Sequence, residues 1–225
     1  MHPLIEKALK EKRNLTEPES KTLLQHYGLP APAFSFCRSP EEAVRAASTQ
    51  GYPVVMKVVS PDIPHKSDIG GVKVGLTSAE AVRTAYEKIE NAAQNKGTFS
   101  GVIVYQVQEQ GTEIIIGALY DEQFEHAIMF GLGGIFVEVL KDVSFRLIPI
   151  TEADAREMIE EINAYPILTG VRGQPPRDLD SIIHALLNVS HLVEENSEIR
   201  ELDLNPIFVY EKGLTVIDAR CIVIS

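Results

Sequence analysis

Residues 101–119 read GVIVYQVQEQGTEIIIGAL, two β-branched runs, Gly101 to Val107 and Thr112 to Leu119, separated by the polar stretch Gln108 to Gly111. Runs of this composition predict strands and the polar connection predicts a turn. The pattern suggests neighbouring strands meeting at a hinge. A lobe boundary near Gln108 follows, giving an N-terminal lobe over 1–107 and a C-terminal lobe over 108–225.

Strand and helix alternate on both sides of that hinge. Towards the N-terminus, Pro18 to Tyr27 has helical spacing and Gly28 is placed to end it. Ser39, Pro40, Glu41 and Glu42 supply an N-cap, a first-turn proline and acids for a helix that Gly51 closes. Pro53 to Val59 (PVVMKVV) predicts a buried strand carrying one lysine, and Thr77 with Glu80 predicts a capping box for a helix to about Asn95. Towards the C-terminus, His126 to Phe130 and Val143 to Ile150 predict strands around Gly131, Gly133 and Gly134. Thr151 and Asp178 cap two helices, and Leu202 to Tyr210 with Leu214 to Val223 predicts a closing hairpin. Alternation of this kind implies an α/β or α+β fold.

The 225 residues suffice for one large domain or two small lobes. A formal net charge of -11 disfavours nucleic-acid backbones and anionic membrane surfaces as partners. Cys37 and Cys221 form neither a CxxC pair nor a disulfide framework, and the first 15 residues carry no export signal, so a cytoplasmic location is expected. The longest uncharged apolar stretch, Ala127 to Val137, is broken by glycines and falls short of the ~20 residues that span a bilayer. GxxxxGK[ST], GxGxxG, HExxH and GxSxG are all absent, so any nucleotide site uses another scaffold.

Several polar residues interrupt apolar surroundings. Lys57 in its strand is costly unless it meets a partner, which is either an anionic ligand or a carboxylate, or unless it snorkels from a sheet edge. His65 lies in a loop rich in proline, glycine and acid, Ser60 to Gly71 (SPDIPHKSDIGG). An imidazole there is a base, a metal ligand, a nucleophile towards phosphorus, or an inert surface group. Glu201, Asp203 and Asn205 of ELDLN share one strand face, either a solvated surface or an oxygen-rich magnesium site completed by Asp218. Glu113 and Arg146 are isolated charges in β-rich runs, open to a structural ion pair. Gly131 to Gly134 presents N–H groups to a phosphate or makes a tight turn.

Taken together and in this order, these segments resemble the ATP-grasp β subunit of ADP-forming acetyl-CoA synthetases (acetate–CoA ligases), relatives of succinyl-CoA synthetase. The resemblance covers essentially the whole chain. It is carried most specifically by YPVVMKVVSPDIPHKSDIGGVKVGL (52–76), MFGLGGIFVEVLKDVSFRL (129–147) and ELDLNPIFV (201–209). It implies an ATP-grasp fold of two α+β lobes with the nucleotide between them, and a separate CoA-binding α subunit in an α2β2 heterotetramer. The implied reaction is reversible: acyl-CoA, ADP and phosphate give free acid, CoA and ATP. The resemblance makes His65 the phosphohistidine that carries the phosphoryl group to ADP, with Asp203 as the acid contacting its ring. It gives Lys57 to the nucleotide phosphates, Glu109 and Glu113 to the adenine and ribose, and Gly133, Gly134 and Arg146 to phosphate handling. Asn205 and Asp218 correspond to Mg²⁺ ligands. The succinyl-CoA synthetase relatives have a glycine-rich stretch where this chain has its prolyl, histidine-bearing loop, so loop geometry is not carried over. Two other readings remain open: an ATP-grasp carboxylate ligase without phosphohistidine, and a non-catalytic nucleotide-sensing module.

Overall fold

A computed structural model describes residues 1–63, 66–134, 137, 139–171 and 173–223. In chain order the elements are α1 (Pro3–Lys10), α2 (Glu17–His26), β1 (Phe34–Cys37), α3 (Pro40–Gln50), β2 (Val54–Val59), β3 (Val72–Leu76), α4 (Ala79–Gln94), β4 (Gly101–Gln106), β5 (Thr112–Asp121), β6 (Glu125–Leu132), β7 (Val143–Leu147), α5 (Glu152–Glu161), α6 (Tyr165–Thr169), α7 (Leu179–Glu195), β8 (Glu201–Val209), β9 (Leu214–Val216) and β10 (Arg220–Ile222). They fall into two compact units, one of residues 32–109 and one of residues 1–31 with 110–225.

The unit of residues 32–109 is an antiparallel sheet in the order β1-β4-β2-β3. Strand alternation sends Val54, Met56, Val58, Val102 and Val104 to one face, where Ala43 and Ala47 of α3 and Val82, Tyr86 and Ile89 of α4 close a core around them. Val55, Val59, Ile103 and Tyr105 cluster on the other face. Edge strand β3 carries one extra residue against β2, between the pairs Val54–Leu76 and Met56–Lys73. Gly75, at φ +76°, lies inside that bulge, where the backbone needs a residue tolerant of the left-handed region. The cap of α4 differs from expectation by one residue. The Ser78 side chain, not that of Thr77, accepts from the Ala81 N–H.

The other unit holds an antiparallel sheet in the order β10-β8-β5-β6-β7, with β9 also paired to β8. The side chains of Ile114, Ile116, Ile128, Phe130, Leu202 and Leu204 pack with Met158 of α5 and Ile182, Leu186 and Val189 of α7. Two expectations are corrected here. β4 and β5 belong to different sheets, because β4 pairs with β1 and β2 while β5 pairs with β6 and β8. The N-terminal lobe does not span 1–107: Ile5, Ala8, Leu23 and Leu24 are buried in the core of the β5–β10 sheet, so α1 and α2 fold with residues 110–225. The Leu15 N–H donates to Cys221 C=O (3.3 Å) and the Val223 N–H to Asn14 Oδ1 (3.0 Å), tying this segment to β10.

A buried-edge ion pair sets the entry into α2. Arg13 donates both terminal nitrogens to Glu19, each at 2.7 Å, and the Thr16 N–H and hydroxyl each reach Glu19 Oε2 at 2.9 Å. Burial alone would raise the Glu19 carboxyl, but Arg13 and Thr16 outweigh it and bring it down to about 2. A depressed carboxyl stabilises the fold at pH above its ordinary value of 4.5, and that contribution is lost as pH falls towards 2. Glu19→Gln is expected to cost about 1–2 kcal/mol at pH 7 after allowance for solvent screening. Chemical denaturation of the two proteins at pH 7 and again near pH 3 checks it, since the difference between them shrinks in acid.

Among the described residues no helix is long and apolar enough to cross a membrane. Cys37 and Cys221 are free and buried. Burial pushes their thiols up to about 11 and about 12, so neither is a reactive thiolate at neutral pH.

Candidate functional site

Paired residues of antiparallel strands share a face, so the register of the β5–β10 sheet fixes which side chains meet on the face away from α5 and α7. One row runs Arg220, Asp203, Gly117, Met129, Phe145 across β10, β8, β5, β6 and β7. Gly117 lets the Met129 side chain lie close against the sheet, since a Cβ there would come within 3.3 Å of Met129 Cε. A neighbouring row begins Ile222, Glu201, Leu119. From β10, Arg220 Nη1 reaches diagonally to Glu201 Oε1 at 3.3 Å.

Asn205 and Asp218 occupy corresponding positions. Ile207 pairs with Val216 and Asp203 with Arg220, so the residue midway along β8, Asn205, falls opposite the residue midway along the return strand, Asp218. Around Asn205 the β8 strand carries an extra residue, moving from Leu204 to Ile207 while β5 moves from Ile116 to Ile114. The bulge exchanges the inward positions from 202 and 204 to 207 and 209, which leaves Asn205 exposed. Asp218 Oδ1 accepts from the Ala219 N–H at 2.9 Å.

Further along the same face stands Glu113, roughly 13 Å from Gly117 at the usual strand rise. Its carbonyl accepts the Gly133 N–H at 2.8 Å, extending the β5–β6 ladder by one step. A Cβ at Gly133 would lie 2.9 Å from Glu113 Cβ, so this approach needs glycine. Gly134 then turns the chain at φ +61° with open space around its α-carbon.

The acids crowd one another. The Asp203 carboxyl is raised above the ordinary aspartate value, first by burial and then by Glu201 and Asp218, with Arg220 opposing. A face that already strains against its own negative charge fits a cation. Among the described residues no group of three or more His, Cys, Asp or Glu side chains could hold a metal ion. An amide and one carboxylate on opposed strands instead suit Mg²⁺, which keeps waters and phosphate oxygens in its shell.

Arg146 is not brought to this face. Its pair on β6 is Ile128, a residue of the helix-side core, and the alternation puts Arg146 on the α5 side of the sheet. There it donates to Glu161 (2.9 Å), Phe145 C=O (2.8 Å) and Glu157 (3.4 Å), and the Glu161 bond raises its pKa. The expected phosphate role of Arg146 is therefore replaced by an ion pair joining β7 to α5.

In the unit of residues 32–109, Lys57 occupies an interior strand between Ile103 of β4 and Val72 of β3. It is 4% exposed, and its Nζ lies 5.6 Å from the centroid of the Tyr105 ring, on the face of the Val55 cluster. Glu109, exposed, is the last residue of this unit. Pro64 and His65 lie outside the described residues, but both ends of their loop are described. Ile63 is buried among the α3 and α4 core residues, Asp62 accepts the Thr98 N–H at 2.9 Å, and a 3₁₀ turn at Ser67–Ile69 ends in Gly70 at φ +67°. The Gly71 carbonyl accepts the Val58 N–H and its own N–H donates to Lys66 C=O, both at 2.8 Å. The described residues on either side of positions 64 and 65 are thus each anchored.

Sequence reasoning missed the contribution of Gly117 and Tyr105. A glycine inside the apolar run IIIGAL is the signal for the first, since interior strand glycines mark close approach. Tyr105 follows only from the β2–β4 register.

Comparison with known proteins shows the family. Residues 7–223 match the model of the ATP-grasp domain family. The chain is 50% identical to the acetate–CoA ligase [ADP-forming] I subunit beta of Pyrococcus furiosus, over 97% of this chain and 96% of that one. A dinucleotide forming acetyl-coenzyme A synthetase 1 of Ca. Korarchaeum cryptofilum, solved with coenzyme A, Ca-AMPCP and HgCl+, superposes with a TM-score of 0.94 at 45% identity, covering 98% of each chain. The same enzyme with coenzyme A and Mg-AMPPCP, its phosphohistidine segment pointing towards the nucleotide binding site, superposes with a TM-score of 0.86 at 45% identity, again covering 98% of each chain. From its ATP-grasp fold to its sequence over nearly every residue, this chain belongs to the β subunits of the ADP-forming acetate–CoA ligases.

Proposed function

We propose that this chain is the nucleotide-binding β subunit of an ADP-forming acyl-CoA synthetase, and that His65 carries the phosphoryl group which becomes the terminal phosphate of ATP. The companion is a CoA-binding α subunit, in an α2β2 assembly in the cytoplasm. The observation that carries this reading is the order of groups along one sheet face: Glu113 with Gly133, then Asn205 opposite Asp218, then Asp203 beside Arg220. Nucleoside, metal-bridged phosphates and transferring phosphoryl group require functional groups in that sequence.

The chain's residues divide the work. Glu113 and Glu109 are assigned to the nucleoside, with the Gly133 and Gly134 turn near the phosphates, and Lys57 supplies a fixed cation to those phosphates. Asn205 and Asp218 would hold Mg²⁺, whose charge neutralises the nucleotide phosphates when it is bound. Asp203 holds the proton on one ring nitrogen of His65 and leaves the other to bear phosphorus. In the forward step the N–P bond breaks and its electron pair returns to the ring, while a β-phosphate oxygen of ADP forms the new P–O bond. The ring keeps its proton on the nitrogen facing Asp203 and departs neutral, so no further acid or base is needed. Positioning and charge compensation are the whole task, as phosphoryl transfer demands.

The test is phosphorylation of the αβ complex by Mg-ATP labelled in its terminal phosphate, followed by peptide mass spectrometry under alkaline handling. Label on His65, lost in His65→Asn together with ATP formation, is the expected result. An unlabelled His65 in a complex that turns over would instead favour direct activation of the carboxylate.

A further inference from the structure

Arg220 has no part in the roles assigned above, yet it stands in the row of Asp203. It is the one cation that the strand register puts on this face among the described residues of β5 to β10, with Glu201, Asp203, Asp218 and Glu113 as its acidic company. Its side chain is 43% exposed and its partner Glu201 32% exposed, so their 3.3 Å ion pair is solvent-screened and weak. Arg220 is not needed to seal the sheet, whose β10 contribution to the core is Cys221, with Ala219 and Val223 beside it. A dianionic phosphoryl group arriving beside Asp203 would meet three nearby carboxylates, and repulsion would exclude it unless a cation met it there.

We propose that Arg220 is a phosphoryl clamp. Its guanidinium leaves Glu201 and takes two oxygens of the phosphoryl group in transit, the fork geometry that suits arginine to phosphate. No bond is made or broken by Arg220 itself; it compensates charge on the equatorial oxygens while the N–P bond gives way to the P–O bond of ATP. This inference rests on the carrier role of His65.

The αβ complex with Mg-ATP labelled in its terminal phosphate provides the test, with labelling of His65 and the reverse formation of ATP both timed. Arg220→Gln is expected to slow both by about 10²-fold or more, with KM for ADP changed by less than about threefold. Arg220→Lys is expected to recover part of the loss as a point charge without the fork. Glu201→Gln, which removes only the resting partner, is expected to stay within about threefold of the wild-type rate. Wild-type rates in Arg220→Gln overturn the clamp. So does an equal loss in Glu201→Gln and Arg220→Gln, which would mean the ion pair serves the sheet alone. Absence of label from His65 in the wild-type complex counts against the carrier reading itself, and the clamp falls with it.

Discussion

Lys57→Met is expected to lower ATP formation from acetyl-CoA, phosphate and ADP by about 10³-fold or more, while the unfolding midpoint moves by no more than about 3 °C. Lys57 is 4% exposed in an interior strand, flanked by Ile103 and Val72 and stacked towards Tyr105. Burying an ammonium is costly unless charge or hydrogen-bond partners compensate it. A fixed cation of this kind compensates charge on transferring phosphate oxygens with no reorganisation at the moment of reaction, which is where its value in rate lies. Methionine keeps the length and much of the packing of the stem, so the two readouts separate. Steady-state rates and KM for ADP, measured beside a thermal melt, check it. A fall in rate that merely tracks a fall in melting temperature would make Lys57 a structural residue. Lys57→Arg is not expected to restore the rate, because the buried strand position fits a slender ammonium and not a planar fork.

What the sequence makes legible is local. Ser39 with Pro40, Thr151, Asp178 and the glycines at 28 and 51 mark element ends because capping is decided within four residues of chain. The sharing of one face by Glu201, Asp203 and Asn205 is legible for the same reason, since strand alternation is a property of consecutive residues. Pairing is not. The runs at 101–107 and 112–119 are both strands, yet nothing in either says that they enter different sheets. Nor does the apolar stripe of α1 and α2 say which sheet will cover it, and the answer lies more than a hundred residues away. Arg146 shows the cost at the site. Its isolation in an apolar run is visible in the sequence, but which side of β7 it takes, and so whether it meets phosphate or Glu161, is fixed only by the pairing of β6 with β7.

The same limit applies to the proposed metal pair. Asn205 and Asp218 are 13 residues apart, and their opposition depends on the turn register of the closing hairpin and on the bulge that turns β8 over at Asn205. A shift of one residue in that register would send Asp218 to the other face, towards Leu204, and with it any capacity to bind an ion. The proposed metal site rests on a register that two short strands, β9 and β10, hold on either side of the gap between them.

Asp203→Asn is expected to reduce phosphoryl transfer by about 10³–10⁴-fold, the scale seen when a carboxylate that fixes a histidine tautomer becomes an amide. The same substitution is expected to stabilise the free protein. The Asp203 carboxyl is raised above 3.8 by burial, reinforced by Glu201 and Asp218. A carboxyl raised in the folded state binds its proton more tightly there than in the unfolded chain. Its effect on stability is therefore absent at pH below the unfolded value and appears as a loss when pH rises through the folded one. At neutral pH the charged Asp203 burdens the fold, and asparagine, nearly the same in shape, lifts that burden. The melting temperature without Mg²⁺ or nucleotide should rise by about 1–3 °C at pH 7 and the difference should vanish near pH 3. Opposite signs in rate and stability distinguish a group retained for chemistry from one retained for structure. A variant that loses rate and melting temperature together would return Asp203 to the scaffold.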